Sequence, residues 1–474
     1  MSFCTSSQPL SRRFDLVLTS FLQQPGLPFA EALPAEQIQA AFDDQQVAFA
    51  GEEDEIYSPP ITLWALLSQV LFKDEHRSCA AAVSRVIVLL AALGQRPPSD
   101  NTGAYCRART KLPVSVIRRL SCDLADGCER GVRTEWLWLG HHVKLVDGTT
   151  LSMPDTKDNQ AEYPQSSVQA DGLGFPLVRL VVLMSLATGL ISDGAMAAYA
   201  GKETGETALL RELLERLDPE DILLADRYYC SYFMICLLLE RKVQIVTRLH
   251  QQRTADFRRG QRLGPGDHIV EWPRPDKPEW MDQTTYDRMP PSISVREVEV
   301  HVDQPGFRTE LFVVVTTLLD ANKYRQQDLA ELYRQRWLAE LDLRAIKISL
   351  GMDVLRAKSP EMCRREIWSC VLAYNLIRQA MLTSAQQADR SPRQLSFTAA
   401  LQKIAASWIA VLLVEESILV GLLEEHLHDM AQHKVGHRPD RIEPRAVKRR
   451  PKPHKLLTKP REEARMDMLL GKAS

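Results

Sequence analysis

The sequence lacks the cysteine and apolar patterns of a secreted or membrane-bound protein. Its nine cysteines are scattered and include no Cys-x-x-Cys pair, which argues against a zinc ribbon or a disulfide framework and favours a reducing compartment. The first residues have neither the basic segment nor the continuous apolar run of a signal peptide. Apolar runs such as residues 83–93 are too short to cross a bilayer. We therefore expect a cytoplasmic protein with no membrane partner.

An excess of charge of one sign is also missing. The 474 residues include 59 lysines and arginines against 61 aspartates and glutamates, a net charge of −2. Because the whole molecule is not a polycation, any nucleic-acid site must come from local basic patches. The hydrophobic fraction of 45% is ordinary for a globular protein, and the length is sufficient for two or three domains.

The most informative stretch is YRQRWLAELDLRAIK, residues 333–347. It is predicted to lie in one long helix from about Tyr324 to Leu350, ended by Gly351. At about 100° per residue, four polar side chains share an arc of about 60° within an apolar stripe. These side chains are Tyr333, Arg336, Glu340 and Lys347. Burying them is costly unless each has a partner or a metal ion, so the helix is predicted to carry chemistry.

The same helical wheel predicts which residues flank the polar arc and which face solvent. The apolar flanks are Leu329, Leu332, Trp337, Leu343 and Ile348, and the solvent face comprises Arg334, Gln335, Asp342 and Ala345. A simpler alternative for the arc is an ion pair, because Arg336 and Glu340 are four residues apart on the helix.

Two aspartates follow apolar strand residues upstream of this helix. Asp147 follows residues 143–146, and Asp226 follows residues 222–225. The predicted order from residue 143 to 248 is three strands, a helix, a strand, a helix and a strand, which fits an RNase H-like mixed α/β sheet. In that sheet the first and fourth strands are neighbours, so both carboxylates are expected side by side at the strand ends.

Two adjacent carboxylates repel each other unless a cation lies between them. Carboxylate oxygens are the ligands that Mg²⁺ prefers, so the pair predicts a metal site. The alternatives are that Asp147 is a turn residue, since Asp-Gly is a common turn dipeptide, and that Asp226 caps the following helix.

The spacing Tyr333, Arg336, Glu340 and Lys347 resembles the YREK signature of DDE insertion-sequence transposases of the IS-four-like group. LVDGTTLSMPD around Asp147, GLGFPLVRL at residues 172–180 and LLADRYYCSY around residue 226 are similar to segments of the same group. The resemblance covers about residues 100–355 well and the remainder loosely.

The resemblance implies a DNA transposase with an RNase H-like core. Asp147, Asp226 and Glu340 would be the catalytic residues and would hold two Mg²⁺ or Mn²⁺ ions per active site. Arg336 and Lys347 would bind phosphates near the cleaved bond. In the same setting, the hydroxyl of Tyr333 would orient a phosphate.

The implied partner is double-stranded DNA, both the terminal inverted repeats of the element and the target. A dimer is expected in the paired-end complex, in a bacterial cytoplasm and associated with the nucleoid. Two alternatives stay open. One is a metal-dependent nuclease of the same fold that cuts without joining, and the other is an inactive domesticated DNA-binding protein.

The predicted organisation has four parts. Residues 1–140 form a helical DNA-binding domain, and residues 141–355 form the catalytic domain with a β-rich insertion at about 250–310. Residues 356–433 form a helical carboxy-terminal domain, and residues 434–474 form a basic, proline-rich tail. The tail is predicted to follow DNA phosphates as an extended arm, and the alternative is a solvated disordered tail.

Further DNA contacts are predicted outside the polar arc. In the amino-terminal domain Arg107 and Arg109 lie on a short basic helix after a turn, which suits DNA contact, although a plain helical bundle with a basic edge is the alternative. The phosphate candidates of the insertion are Arg253, Arg258, Arg259 and Arg262. Trp272 or Trp280 is a candidate for stacking on a base, with a β-core tryptophan as the alternative.

Overall fold

The chain begins with a body of helices. The computed structural model describes residues 13–47, 56–301, 311–436 and 457–471. Ser78 caps one of these helices, since its hydroxyl accepts the N–H of Ala81. The helices before the sheet are α1 (Asp15–Ser20), α2 (Ala35–Asp44), α3 (Pro59–Leu71), α4 (Cys79–Ala92), α5 (Gly103–Lys111) and α6 (Val114–Arg130).

A mixed sheet with interleaved helices follows. Its first part contains β1 (Val143–Ser152), α7 (Lys157–Glu162), β2 (Leu177–Ser185), β3 (Ile191–Ala198), α8 (Glu206–Leu213), β4 (Ile222–Ala225), α9 (Tyr232–Glu240) and β5 (Gln244–Arg248). Its second part contains β6 (Gln261–Gly264), β7 (Asp267–Pro273), α10 (Gln283–Arg288), β8 (Ser292–His301) and β9 (Leu311–Thr316).

The strand order of the sheet is β3-β2-β1-β4-β5-β9-β8-β7-β6. Strands β1 to β3 pair antiparallel, whereas β4 joins β1 and β5 joins β4 in parallel. Three antiparallel strands extended by parallel ones are the predicted RNase H-like core, and the prediction of fold is confirmed. The β-rich insertion is also present, but its strands do not form a separate sheet. They continue the main sheet, because β9 pairs with both β5 and β8.

The helices that follow the sheet complete the fold. The order is α11 (Gln326–Arg334), α12 (Trp337–Arg344), α13 (Pro360–Gln387), α14 (Phe397–Ser407), α15 (Glu416–Gln432) and α16 (Arg461–Leu469). Helix α13 is buried over most of its length and packs on α3, α6, α14 and α15. Asn375 joins it to the sheet edge, since its side-chain amide donates to the carbonyl oxygens of Ser121 and Ile191 at 3.1 and 2.9 Å. The helices that precede the sheet in the chain and those that follow it therefore share one hydrophobic core.

The prediction of one continuous helix from Tyr324 to Leu350 is wrong in detail. Helix α11 ends at Arg334, α12 begins at Trp337, and a π-helical turn occupies Ala345–Ser349. At the break the N–H of Arg336 donates to the carbonyl of Tyr333 at 3.1 Å, a three-residue step that winds the chain more tightly than an α-helix. The predicted end of the helix is confirmed, because Gly351 has a φ of +65°.

This change of winding overturns the predicted solvent face beyond residue 335. Asp342 is 1% exposed and Ala345 is 9% exposed, although both were expected in solvent. Trp337 and Ile348, expected as apolar flanks, are instead 56% and 55% exposed. A uniform 100° per residue does not hold across a tight turn and a π-helical turn, so the helical wheel assigns residues after the break to the wrong faces.

The predicted basic tail is only partly described. Residues 437–456, which contain most of its lysines and arginines, lie outside the described residues. Helix α16 lies within the remaining part of the tail. The role of the tail as a phosphate-tracking arm stays a prediction.

A buried acid at the start of β4 predicts a pH dependence of stability. Asp221 is 4% exposed, and burial raises its pKa to about 6, although Lys144 opposes the rise. The unfolded chain loses this proton near pH 4, so stability from this group is full below pH 4 and falls as the pH rises to about 6. Urea titrations at pH 4 and pH 7 should show the wild type losing about 2 kcal/mol of unfolding free energy relative to Asp221→Asn. An unchanged difference between the two pH values would contradict this assignment.

Candidate active site

The two aspartates lie next to each other at neighbouring strands. Strands β1 and β4 are parallel with Leu145 opposite Leu224, so Asp147 and Asp226, each two residues further on, are at the same level. The turn alternative for Asp147 is wrong, because the residue lies within β1 and is paired with Val182 of β2. The cap alternative for Asp226 is present in a limited form. Its Oδ1 accepts the N–H of Arg227 at 2.6 Å, at the start of a single 3₁₀ turn.

Helix α12 brings Glu340 to the same place together with Arg336. The Nη2 of Arg336 donates to the Oε1 of Glu340 at 2.7 Å, so the ion pair that the spacing suggested is present. Burial lowers the pKa of Arg336, but the hydrogen bond to Glu340 and the charge of Asp226 oppose this, and the pKa is held above its usual value. Arg336 therefore interacts with the carboxylates of both the helix and β4.

The electrostatics of Asp147 show that the acids share one environment. Burial raises the pKa of Asp147 to about 6, and the nearby charges of Glu206 and Glu340 add to the rise, whereas Gly148 and Arg336 oppose it. A carboxylate that is disfavoured by burial and by neighbouring carboxylates is stabilised by a cation between them.

The chemistry of this group fits a hard divalent metal ion. Its donors are carboxylate oxygens from β1, β4 and α12, the type that Mg²⁺ and Mn²⁺ prefer. Among the described residues, no three acidic, histidine or cysteine side chains are already close enough to hold an ion. The Oε1 of Glu340 accepts from Arg336 at 2.7 Å, and its Oε2 would be the oxygen offered to an ion.

A fourth carboxylate in this region was missed by sequence reasoning. Glu206 begins α8, and its carboxylate packs so closely on Gly148 that a Cβ there would lie 2.5 Å from its Cδ. The hydroxyl of Tyr229 donates to Glu206 Oε2 at 3.2 Å. The only local signal was an acid in the first turn of a helix, which is common, and so the contact depends on tertiary packing.

The other two residues of the polar arc also reach the site. Tyr333 is 8% exposed, and burial and the charge of Asp226 raise its pKa well above its usual range. Lys347 lies in the π-helical turn, and its Nζ donates to the carbonyl oxygen of Thr150 in β1 at 3.2 Å. The structure therefore brings Tyr333, Arg336, Glu340 and Lys347 to the strands that carry the two aspartates.

The predicted DNA contacts of the insertion each have neighbours within the insertion. Arg258 and Arg259 are exposed and both pair with Asp256. Trp272 is 4% exposed and donates its Nε1 hydrogen to Glu297 at 3.0 Å, as the β-core alternative describes. The guanidinium of Arg253 lies 4.0 Å from the centre of the Trp272 ring and covers it.

The remaining predicted contacts lie on β6, before α10 and on α5. Arg262 is exposed on β6, and Trp280 is half-buried beneath the guanidinium of Arg211, which lies 3.9 Å from the ring centre. Arg107 is exposed on α5, and Arg109 is half-buried on the same helix.

Comparison with known proteins finds a matching family and several relatives. The family described as "Transposase DDE domain" matches residues 138–376, a range that includes both aspartates and the polar arc. The chain is similar to the transposase InsG for insertion sequence element IS4 of Escherichia coli strain K12, with 26% identity over 407 residues. That alignment covers 82% of this chain and 85% of InsG. The transposase for insertion sequence element IS421 of Escherichia coli is 35% identical over 79 residues, which are 17% of this chain and 21% of that protein.

Among solved structures, the chain is similar to a piggyBac transposase in a synaptic complex with hairpin DNA. The TM-score is 0.44 and the identity 11%, over 88% of this chain and 84% of that one. Within the described ranges, no helix has the length and apolar content needed to cross a membrane. The match to the family covers half of the sequence, including Asp147, Asp226 and Glu340. The chain therefore belongs to the DDE transposase family, in the IS4-like group.

Proposed function

We propose that this transposase cleaves and joins the ends of its own insertion sequence by cut-and-paste, two-metal-ion phosphoryl transfer. The observation that carries the proposal is the parallel register of β1 and β4, which aligns Asp147 with Asp226 beside the helix of Glu340. These three residues would hold two Mg²⁺ or Mn²⁺ ions. The ions supply a Lewis acid and an activated nucleophile for in-line displacement at phosphorus.

The cationic side chains would bind the DNA phosphates around this centre. The guanidinium of Arg336 donates to Glu340 through Nη2, and its other N–H groups would donate to a phosphate. Lys347 adds a point charge beside β1.

The phenol of Tyr333 would act as a hydrogen-bond donor. Its raised pKa keeps the hydroxyl protonated at neutral pH, so it can donate to a phosphate oxygen. For the same reason it is a poor nucleophile, which favours a reaction without a covalent protein–DNA intermediate.

Residues outside the acidic group would bind both the terminal repeats and the target DNA. Arg107, Arg109, Arg253, Arg258 and Arg259 would bind phosphates, with Trp272 supporting Arg253 from below. Two protomers would act together in a paired-end complex. InsG is named as the transposase for one insertion sequence element, IS4. This name supports the proposal that the present chain acts on the element that encodes it.

An excision assay tests the proposal. A donor plasmid carries a marker between the DNA ends that flank this gene, and wild type is compared with Asp147→Ala. We expect the wild type to release the marker and to join it to a target, and the variant to do neither. Cutting without joining would indicate a nuclease of the same fold. Binding to the ends without cutting would indicate an inactive DNA-binding protein.

A further inference from the structure

A cavity of about 170 Å³ lies at the junction between the amino-terminal helices and the catalytic core. Its walls come from α3, α5, the start of α13 and the segment that follows Gly351. Three of its lining residues are arginines and one is an acid, so its formal charge is positive. These residues are Arg77, Arg109, Arg356 and Glu366.

Arg109 is incompletely paired in this cavity, whereas Arg77 donates from Nε to the carbonyl oxygen of Gln69 at 3.2 Å. The Nε of Arg109 is enclosed and has no hydrogen-bond partner, which is costly for a group of this kind. Glu366 stands 3.6 Å from Arg77, beyond hydrogen-bond distance, and its Oε2 accepts the backbone N–H groups of Arg356 and Ala357 at 2.9 and 3.0 Å. The carboxylate of Glu366 already accepts two backbone N–H groups, so an additional anion would supply the acceptor that Arg109 lacks.

The cavity is connected to the active-site helix and strand. Arg77 donates to the carbonyl oxygen of Gly351, the residue that ends the helical segment of Glu340 and Lys347, at 2.8 Å. Two residues further on, the carbonyl of Asp353 accepts the N–H of Ser152, the last residue of β1, at 3.1 Å. Arg77 therefore links the cavity to the short segment after Gly351, which is hydrogen-bonded to the end of β1.

We propose that this cavity binds a phosphate group of the DNA backbone and so fixes the amino-terminal helices and the catalytic core on one DNA strand. This inference rests on the proposed function, since it takes DNA as the substrate. Arg356 lines the cavity and is exposed, so the cavity is open to a phosphate that belongs to a polymer. Free inorganic phosphate shares the same chemistry, and the experiment separates the two sources.

The first arm measures DNA affinity against salt concentration for full-length wild type, Arg109→Gln and Arg356→Gln. The DNA is a duplex with the element's own ends. Each variant is expected to lose about tenfold or more in affinity and to reduce the salt slope by about one. The matched control is Arg119→Gln on α6, whose guanidinium is already paired with Asp44 at 2.7 Å. Circular dichroism and thermal melting identify any variant that fails to fold, and the other variant then decides.

The second arm uses inorganic phosphate and no DNA. A rise of melting temperature with phosphate in wild type, absent in Arg109→Gln, together with unchanged DNA affinity and salt slope, would assign the cavity to free phosphate and overturn the DNA proposal. No effect in either arm would overturn the site altogether. A wild type that binds no DNA would overturn the proposed function, and the phosphate arm alone would then decide whether the cavity binds phosphate.

Discussion

Replacing Glu340 with glutamine is expected to reduce DNA strand cleavage by about a thousandfold or more. A glutamine amide lacks the negative charge that a divalent ion requires, and a bound metal ion contributes several kcal/mol to the transition state. Each 1.36 kcal/mol is a factor of ten in rate. The measurement is the single-turnover rate of cleavage of a duplex that carries the element's ends, with Mg²⁺ or Mn²⁺.

The fold should survive this substitution. The glutamine Oε1 can still accept from Arg336, and a half-exposed ion pair of this kind contributes at most about 1 kcal/mol. The matched control is Glu331→Gln, an exposed acid on the preceding helix α11. If Glu340→Gln cleaved DNA within tenfold of the wild type, Glu340 would be only the ion-pair partner of Arg336.

Replacing Asp342 with alanine is expected to lower the free energy of unfolding by about 3–5 kcal/mol. Its carboxylate is 1% exposed and binds two arginines. Arg393 donates to both carboxylate oxygens at 2.9 and 2.7 Å, and Arg378 donates to Oδ1. Without the aspartate, two largely buried guanidinium groups would keep their charges and lose their partner.

The same acid also holds helix α12 in place. Arg393 further donates to the carbonyl oxygens of Leu186 and Ser185 at 2.6 and 2.7 Å, which ties α12 to the turn between β2 and β3. Urea titrations of wild type and Asp342→Ala measure the effect. The matched control is Asp44→Ala, which breaks an exposed pair with Arg119 and should cost less than about 1 kcal/mol. A cost for Asp342→Ala equal to that of the control would mean that the buried network contributes little.

The parts of the site that follow from strand order were predictable from the sequence. The apolar residues before Asp147 and Asp226 define two strands, and the order of elements makes those strands neighbours, so the two carboxylates had to meet. The YREK spacing located Glu340 and its cationic neighbours by a different rule. Residues three, four and seven apart tend to share one face of a helix.

The remaining features depend on contacts that are distant in sequence or on small differences in backbone winding. Asp342 is buried because its partners Arg378 and Arg393 come 36 and 51 residues later, which no local pattern indicates. At the break near Arg336, a three-residue hydrogen bond replaces the four-residue bond of an α-helix. The two patterns differ little in free energy, so the spacing of the apolar residues does not indicate the break. The contact of Glu206 with Gly148 likewise arises only when α8 packs beside β1.

The most direct test of the shared metal site is iron-directed cleavage of the protein in its DNA complex. Fe²⁺ bound in place of Mg²⁺ produces radicals with ascorbate and peroxide that cut the polypeptide next to the ion. We expect cuts close to Asp147, Asp226 and Glu340, which excess Mg²⁺ suppresses together and which Asp147→Ala abolishes together. Cuts at only one of these positions, or none while DNA remains bound, would contradict a metal centre built from all three residues.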